Sequence, residues 1–245
     1  MNKFQVDILA IGVHPDDIEL GCGGMLIASV KQGKKVAIVD LTRGELGTRG
    51  TVETRKEEAE SAAKVMGVSF RDNLAMEDGF FEISRENILK IVEQIRKYQP
   101  RVVVCNAPHD RHPDHGRASE LTVRACFLAG LRRIETILDG QPQEAWRPSN
   151  VYHYIQDSYL EPDFLFDISN VIEDKMVAVS AYKTQFNSPD NSEPQTYIST
   201  PDFFERIKAR ALSFGKVIGV QYAEGFLSEK RIGIADIDAL IHQTT

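Results

Sequence analysis

Ile8-Leu9-Ala10-Ile11-Gly12-Val13 runs almost without a polar side chain and stops at His14-Pro15-Asp16-Asp17. A short apolar run of this kind suggests a strand buried on both faces, as in a parallel sheet. Gly21, Gly23 and Gly24 follow, and 25–32 then reads as a helix stopped at Gly33. Lys35-Val36-Ala37-Ile38-Val39-Asp40-Leu41 supplies the next strand. Strand, helix and strand in succession make a βαβ unit, whose crossover is expected to be right-handed.

The alternation continues outward from this unit. A Gly/Arg/Thr loop fills 42–51, and 53–66 reads as a helix with Ala59, Ala62, Ala63 and Met66 at helical spacing. A short strand is expected over 68–74. An amphipathic helix follows over 86–98, with Ile88, Ile91, Val92 and Ile95 on one face. Arg101-Val102-Val103-Val104-Cys105-Asn106 is the next buried strand, and it delivers a second tetrad, His112-Pro113-Asp114-His115. Pro113 suits the first turn of a helix running to 129. Further strands are expected over 151–155 and 164–168, and further helices over 171–182 and 201–217. Residues 188–194 are rich in turn formers. The expectation is one α/β domain over 1–245: a Rossmann-like, mostly parallel sheet flanked by helices.

Composition narrows the function classes. The 245 residues are 42% hydrophobic and 27% charged, with a formal charge of −7, as expected of a soluble globular protein. An acidic chain is a poor general nucleic-acid binder. No apolar run approaches the roughly 20 residues of a membrane span, and Asp7 interrupts the first residues where a signal peptide would be apolar. A cytoplasmic protein without nucleic-acid or membrane partners is expected. Cys22, Cys105 and Cys126 have no paired spacing and read as buried thiols.

Both tetrads sit where a strand gives way to a loop, which is where open α/β sheets bind ligands. Each combines imidazole with carboxylate, the ligands of a mononuclear zinc hydrolase. His14 and Asp17 share one side of a turn if it continues helically. The second tetrad offers two imidazoles, so one can face the metal while the other faces a substrate. A carboxylate left uncoordinated, Asp16, is the natural base for a zinc-bound water. His112 suits proton transfer to a departing amine, and Asp114 can orient an imidazole. A lone His-x-x-Asp or His-x-x-His often only satisfies a loop; two such tetrads after two buried strands are harder to explain that way.

At these residues the chain resembles the LmbE-like family related to N-acetylglucosaminyl-phosphatidylinositol de-N-acetylase. Within it the chain is most similar to the bacillithiol-pathway deacetylases, which act on N-acetylglucosaminyl L-malate. That narrower match rests on Asp40 to Thr51, Glu53 to Ala59, Asn73 to Met76, Asp110 to His115, and Tyr222 to Phe226. The resemblance implies a Zn2+-dependent amidohydrolase that removes acetyl from a glucosamine-containing, anionic small molecule. It implies His14, Asp17 and His115 as ligands and Asp16 as base. It assigns His112, with Asp114 behind it, to the tetrahedral intermediate, and Arg55 to substrate. Tyr197 matches a mobile tyrosine that reaches the developing oxyanion. Homo-oligomers, often hexamers, are also implied.

Arg43, Arg49, Arg55 and Arg111 are expected to gather near the strand ends. Arginine binds carboxylates bidentately, so the group suits a malate-bearing substrate. On spacing alone Arg55 reads as a helix-surface residue paired with Glu57, Glu58 or Glu60. Glu45 can bind sugar hydroxyls or cap its loop. His109 reads as a loop residue, His153 as packed in its strand, and His242 as an idle tail residue. Trp146, Phe203 and Phe204 read as packing residues. The rival readings are a metal enzyme acting on another bond, and a non-catalytic sugar binder with a structural zinc closed by a fourth protein ligand.

Overall fold

β1 (Ile8–Gly12) is an interior strand of the sheet, paired in parallel on both sides. The computed structural model describes residues 2–186 and 193–240. After β1 come α1 (Asp17–Lys31), β2 (Val36–Thr42), α2 (Val52–Met66), β3 (Phe70–Met76), α3 (Arg85–Tyr98), β4 (Val102–Asn106) and α4 (Pro113–Ala129). A small antiparallel pair, β5 (Ile137–Leu138) and β6 (Gln141–Pro142), precedes β7 (Asn150–Tyr154) and β8 (Phe164–Asp167). The described chain continues through α5 (Ile172–Ser180), α6 (Phe203–Ile218) and β9 (Ala223–Ser228).

The main sheet has seven strands in the order β3-β2-β1-β4-β7-β9-β8. β3, β2, β1, β4 and β7 are parallel; β9 runs antiparallel to both β7 and β8. This is the mostly parallel, helix-flanked α/β fold expected from the sequence. Alternate strand residues feed separate cores. Leu9, Ile11, Val39, Val103 and Cys105 pack with α3 and α4, while Ala10, Ile38 and Val104 pack with α1 and α5. Strand order reverses between β1 and β4, which opens a crevice at their carboxyl ends. Both tetrads leave from those ends. Among the described residues no helix is long and apolar enough to cross a membrane.

Two elements depart from expectation. α1 begins at Asp17 rather than after the glycines, and it is kinked at Cys22. Gly21 and Gly24 lie inside it where other elements leave no room for a side chain, whereas Gly23 has ordinary space around it. A Cβ on Gly21 would lie 2.2 Å from the Tyr154 ring. The kink frees main-chain groups that would otherwise be paired. Glu224 accepts from the Gly24 and Met25 amides at 2.9 and 2.7 Å, and Lys175 donates to the Leu20 carbonyl at 2.9 Å. Lys175 and Glu224 also pair with each other at 2.6 Å, both buried. The second departure is β9, which has a glycine and a buried glutamate where a strand pattern would have apolar residues.

Other readings agree. The three cysteines are buried and free. His153 is buried and bonded to the Asn106 carbonyl at 2.8 Å. Trp146 donates to the Pro100 carbonyl, and Phe203 lies in a core cluster. Residues 188–192 of the expected turn-rich loop, and His242, lie outside the described residues.

Candidate active site

Asp17 is the meeting point of the two tetrads. Its Oδ2 lies 3.5 Å from His14 Nδ1, and its Oδ1 lies 3.2 Å from His115 Nε2. Each imidazole uses its other nitrogen on a second carboxylate. His14 Nε2 is 2.9 Å from Asp78 Oδ1, and His115 Nδ1 is 2.7 Å from Asp110 Oδ2. Asn106 and Gln156 donate their amides to Asp17 at 3.3 and 2.8 Å. The buried Asp17 is therefore surrounded by donors. Burial alone would raise its pKa, but His115 and His14 hold it well below the usual carboxylate range.

The histidines show the reverse. Burial lowers their basicity, yet Asp17 and Asp78 carry His14 up to about 9, and Asp17 and Asp110 carry His115 up to about 10. Two extra protons thus sit between buried carboxylates. A divalent cation on the inward donors would replace both charges, leaving the outer nitrogens on Asp78 and Asp110. Carboxylates that hold the far side of ligating imidazoles are the usual support of such a site. Among the described residues, two groups place ligand atoms within 4.8 Å of one another: His14, His112 and His115, and His14, Asp78 and Asp114. Asp17, expected as a ligand, is in neither group, although it lies against both His14 and His115; the imidazole and carboxylate donors gathered here fit a small divalent ion.

Asp16 precedes α1 with φ of 123°, a left-handed conformation that strains a residue with a side chain. Its carboxylate is buried, accepts no capping bond and lies 3.5 Å from Arg55 Nη2. Burial raises its pKa to about 7, against the opposing charge of Arg55. His112 stands at the N-cap of α4, with its ring 4.8 Å from that of His14 and 5.3 Å from that of His115. Burial and the charges of His14 and His115 lower its pKa.

Asp114 departs from the arrangement expected for it. Its main-chain amide, 3.3 Å away, donates to His112 Nδ1. Its carboxylate accepts instead from the Gly79 amide at 3.0 Å and Arg117 at 2.9 Å, 4.0 Å from His14 Nε2. Asp114 is a turn-locking residue, and a peptide N–H orients the His112 ring.

The expected arginine cluster is only partly assembled. A cleft of about 390 Å3 is lined by His14, Asp16, Asp17, His112 and His115, and Arg49, Arg55 and Arg111 reach it too. Arg43 does not; it is exposed beside a separate cavity over β3 and α2. Arg55 is buried with its two terminal nitrogens on the Gly44 and Pro15 carbonyls at 2.9 and 2.8 Å. It clamps two loops and faces Asp16 from the wall of the cleft. Arg49 is buried and donates to the Thr184 carbonyl at 2.8 Å. Arg111 pairs with Asp157 at 2.8 Å and stacks on Tyr197. Tyr197 is on the cleft wall, but its hydroxyl donates to Asp157 at 3.0 Å rather than pointing at the histidines. Glu45 caps its loop, accepting from the Arg43 and Asp78 amides at 3.1 Å each. His109 is exposed.

The family model described as "PIG-L: GlcNAc-PI de-N-acetylase" matches residues 9–126, which span both tetrads. The diacetylchitobiose deacetylase of Thermococcus kodakarensis is 31% identical over 89% of this chain and 81% of its own length. The chain belongs to the PIG-L, LmbE-like deacetylase family. A Bacillus subtilis relative described as "Probable N-acetyl-alpha-D-glucosaminyl L-malate deacetylase 2" is 27% identical over 73% of this chain and 82% of its own. Among solved structures, a conserved protein from Thermus thermophilus superimposes with a TM-score of 0.84 at 37% identity, covering 95% of this chain and 99% of that one.

Several groups around this PIG-L-type centre escaped sequence reasoning. Asp78 follows β3 in Glu77-Asp78-Gly79, at the same edge of the sheet as the tetrads. A carboxylate just beyond a parallel strand was the available signal. Asp110 stands two residues before the second tetrad. Asn106 and Gln156 close the ends of β4 and β7 and carry no titratable signature.

Proposed function

We propose that this chain hydrolyses the N-acetyl group of an N-acetylglucosamine-containing small molecule and releases acetate. His14, Asp17 and His115 hold zinc in this reading, supported by Asp17 lying 3.5 and 3.2 Å from one nitrogen of each histidine while Asp78 and Asp110 take the other nitrogens. A divalent ion bound there would polarise an amide carbonyl and acidify an attacking water.

The observation that carries the proposal is Asp16: a buried carboxylate held at about 7 and spare beside the two histidines. Such a group takes a proton from water and returns it near neutrality. Arg55 keeps it available in ionised form. His112 acts as a neutral donor. Its Nδ1 accepts the Asp114 N–H, so the ring proton sits on Nε2 and can meet a developing oxyanion. The proton reaching the departing amine then comes from Asp16, since a neutral His112 has none to spare. This moves the amine's proton donor from His112, where the sequence put it, to Asp16.

The substrate we propose is N-acetylglucosaminyl L-malate, as in bacillithiol biosynthesis. The malate deacetylase relative and Arg111 at the cleft mouth support it. The test is direct detection of acetate from N-acetylglucosaminyl L-malate, diacetylchitobiose and free N-acetylglucosamine, with and without a chelator. Acetate from none of them would refute the deacetylase reading. Turnover that survives complete metal removal would refute the metal. Preference for chitobiose would move the specificity away from malate.

A further inference from the structure

Beside the histidines the cleft continues into an annex of about 40 Å3. It shares His112 and His115 with the cleft, and Leu20, Phe203 and Ile207 give it apolar walls. Space of that size holds a few waters or a molecule as small as acetate. Three arginines also line it: Arg111, Arg206 and Arg210. Arg111 is paired with Asp157 at 2.8 Å, and Arg206 with Asp202 at 2.7 Å.

Arg210 differs from both. Among the described residues its guanidinium makes no hydrogen bond and no ion pair. Asp157, Asp110 and Glu224 act on it only through space. Their oxygens are committed elsewhere: Asp110 to His115, Asp157 to Arg111 and Tyr197, Glu224 to α1 and Lys175. Arg210 lies on the inner face of α6, three residues after Ile207 and four before Phe214, both buried. Arg210 is half-buried, so its N–H groups line the annex open to an acceptor that is not part of the described protein. The planar fork of a guanidinium matches a carboxylate.

We propose that Arg210 binds the carboxylate product of the reaction, acetate, in this annex. The choice of ligand rests on the deacetylase reading. Hydrolysis puts the water's hydroxyl on the acetyl carbon, breaks the C–N bond and sends a proton to the nitrogen. The acid so formed gives its own proton to the amine, so a neutral amide becomes an ammonium and a carboxylate, and the new negative charge arises beside His112 and His115. Arg210 responds to that charge and so separates product from substrate.

The experiment measures acetate binding to the metal-loaded protein by saturation-transfer NMR, and acetate inhibition of turnover against chloride at equal ionic strength. In Arg210→Met the acetate constant should weaken by about tenfold, the loss of a charge-assisted pair. Arg210→Lys should recover part of it. Arg206→Met, whose guanidinium is exposed and already paired, should change it less than about twofold. An unchanged constant in Arg210→Met overturns the inference. So does a loss confined to L-malate binding or to KM for the malate-bearing substrate, which would assign Arg210 to a substrate carboxylate. If acetate binds through Arg210 but no glucosamine derivative is deacetylated, the annex assignment stands and the deacetylase reading falls.

Discussion

The imidazole of His14 and the carboxylate of Asp78 meet at 2.9 Å across 64 residues of chain. Asp78 also accepts from the Leu46 amide at 3.1 Å, so one carboxylate ties a cleft histidine to the loop that carries Arg49. Removing it should free the His14 ring and loosen that loop together. Asp78→Ala is expected to weaken divalent-ion affinity by about 10–100-fold, the usual cost of deleting such support. Asp78→Asn, which can still accept from Nε2–H, should lose less. Chelator competition reads both, and wild-type affinity in Asp78→Ala would show that the contact supports nothing.

Asp16→Asn should keep its metal and lose turnover by about 10²–10⁴-fold, the range for a general base. The same variant should alter stability with a definite sign. Asp16 titrates near 7 in the folded chain, against 3.8 ordinarily. The folded state therefore holds that proton more tightly than the unfolded state. Its contribution is complete at low pH and is lost as pH rises through about 7. Asparagine does not titrate, so metal-free Asp16→Asn should gain on wild type between about pH 4 and pH 8, by on the order of 4 kcal/mol. Parallel stability curves across that range would contradict the burial argument.

Arg55→Gln separates two roles open to this cleft-lining arginine. Its guanidinium opposes the burial that raises Asp16, so its loss should push Asp16 higher. The acid limb of kcat/KM should move to higher pH, because the base must be deprotonated to act. Both of its terminal nitrogens are on main-chain carbonyls, so malate-bearing and neutral substrates should suffer alike. A KM penalty restricted to the anionic substrate would restore Arg55 as a carboxylate receptor.

What the sequence revealed and what it hid have physical reasons. Strands buried on both faces announce themselves as unbroken apolar runs, so β1, β2 and β4 were readable, and α4 was placed at its observed bounds. The tetrads were readable because they follow those runs directly. α1 was misread because the three glycines read as a lead-in to a helix, whereas they lie inside it, with Gly21 and Gly24 admitting Tyr154 and Glu224 beside the kink. β9 was hidden because Glu224 is buried for the kink's sake, not for the sheet. Arg43 shares a stretch of sequence with the site but lines a separate cavity, because the direction of side chains is not in the spacing. Arg210 was missed because it stands about a hundred residues from the second tetrad on α6.

Gly21→Ala should destabilise the fold despite the higher helix propensity of alanine. The added methyl would sit 2.2 Å from one Tyr154 ring carbon and 2.7 Å from another. Tyr154 is fully buried and cannot swing away. Overpacking of this kind costs about 1–3 kcal/mol, whereas the propensity gain is no more than about 1 kcal/mol. Denaturant unfolding should therefore show a net loss. A stabilised Gly21→Ala variant would mean that α1 slides freely over β7.

Lys175 and Glu224 offer the sharpest test of how the kink in α1 is held. Both are buried and 2.6 Å apart, and each also satisfies main-chain groups that the kink exposes. Lys175→Met leaves the Glu224 carboxylate buried without its cation, a loss of about 3–5 kcal/mol when one partner of such a pair is removed. Adding Glu224→Gln removes the stranded charge while keeping an acceptor for one of the two amides. The double variant should therefore be more stable than Lys175→Met alone, and the two changes should be coupled by about 1–3 kcal/mol in a double-mutant cycle. Because the Leu20 carbonyl loses its donor and Leu20 lines both cleft and annex, the same pair should reach function. Substrate KM should rise in Lys175→Met even where the metal content is full. An additive cycle with unchanged KM would show that α1 keeps its bend without this pair.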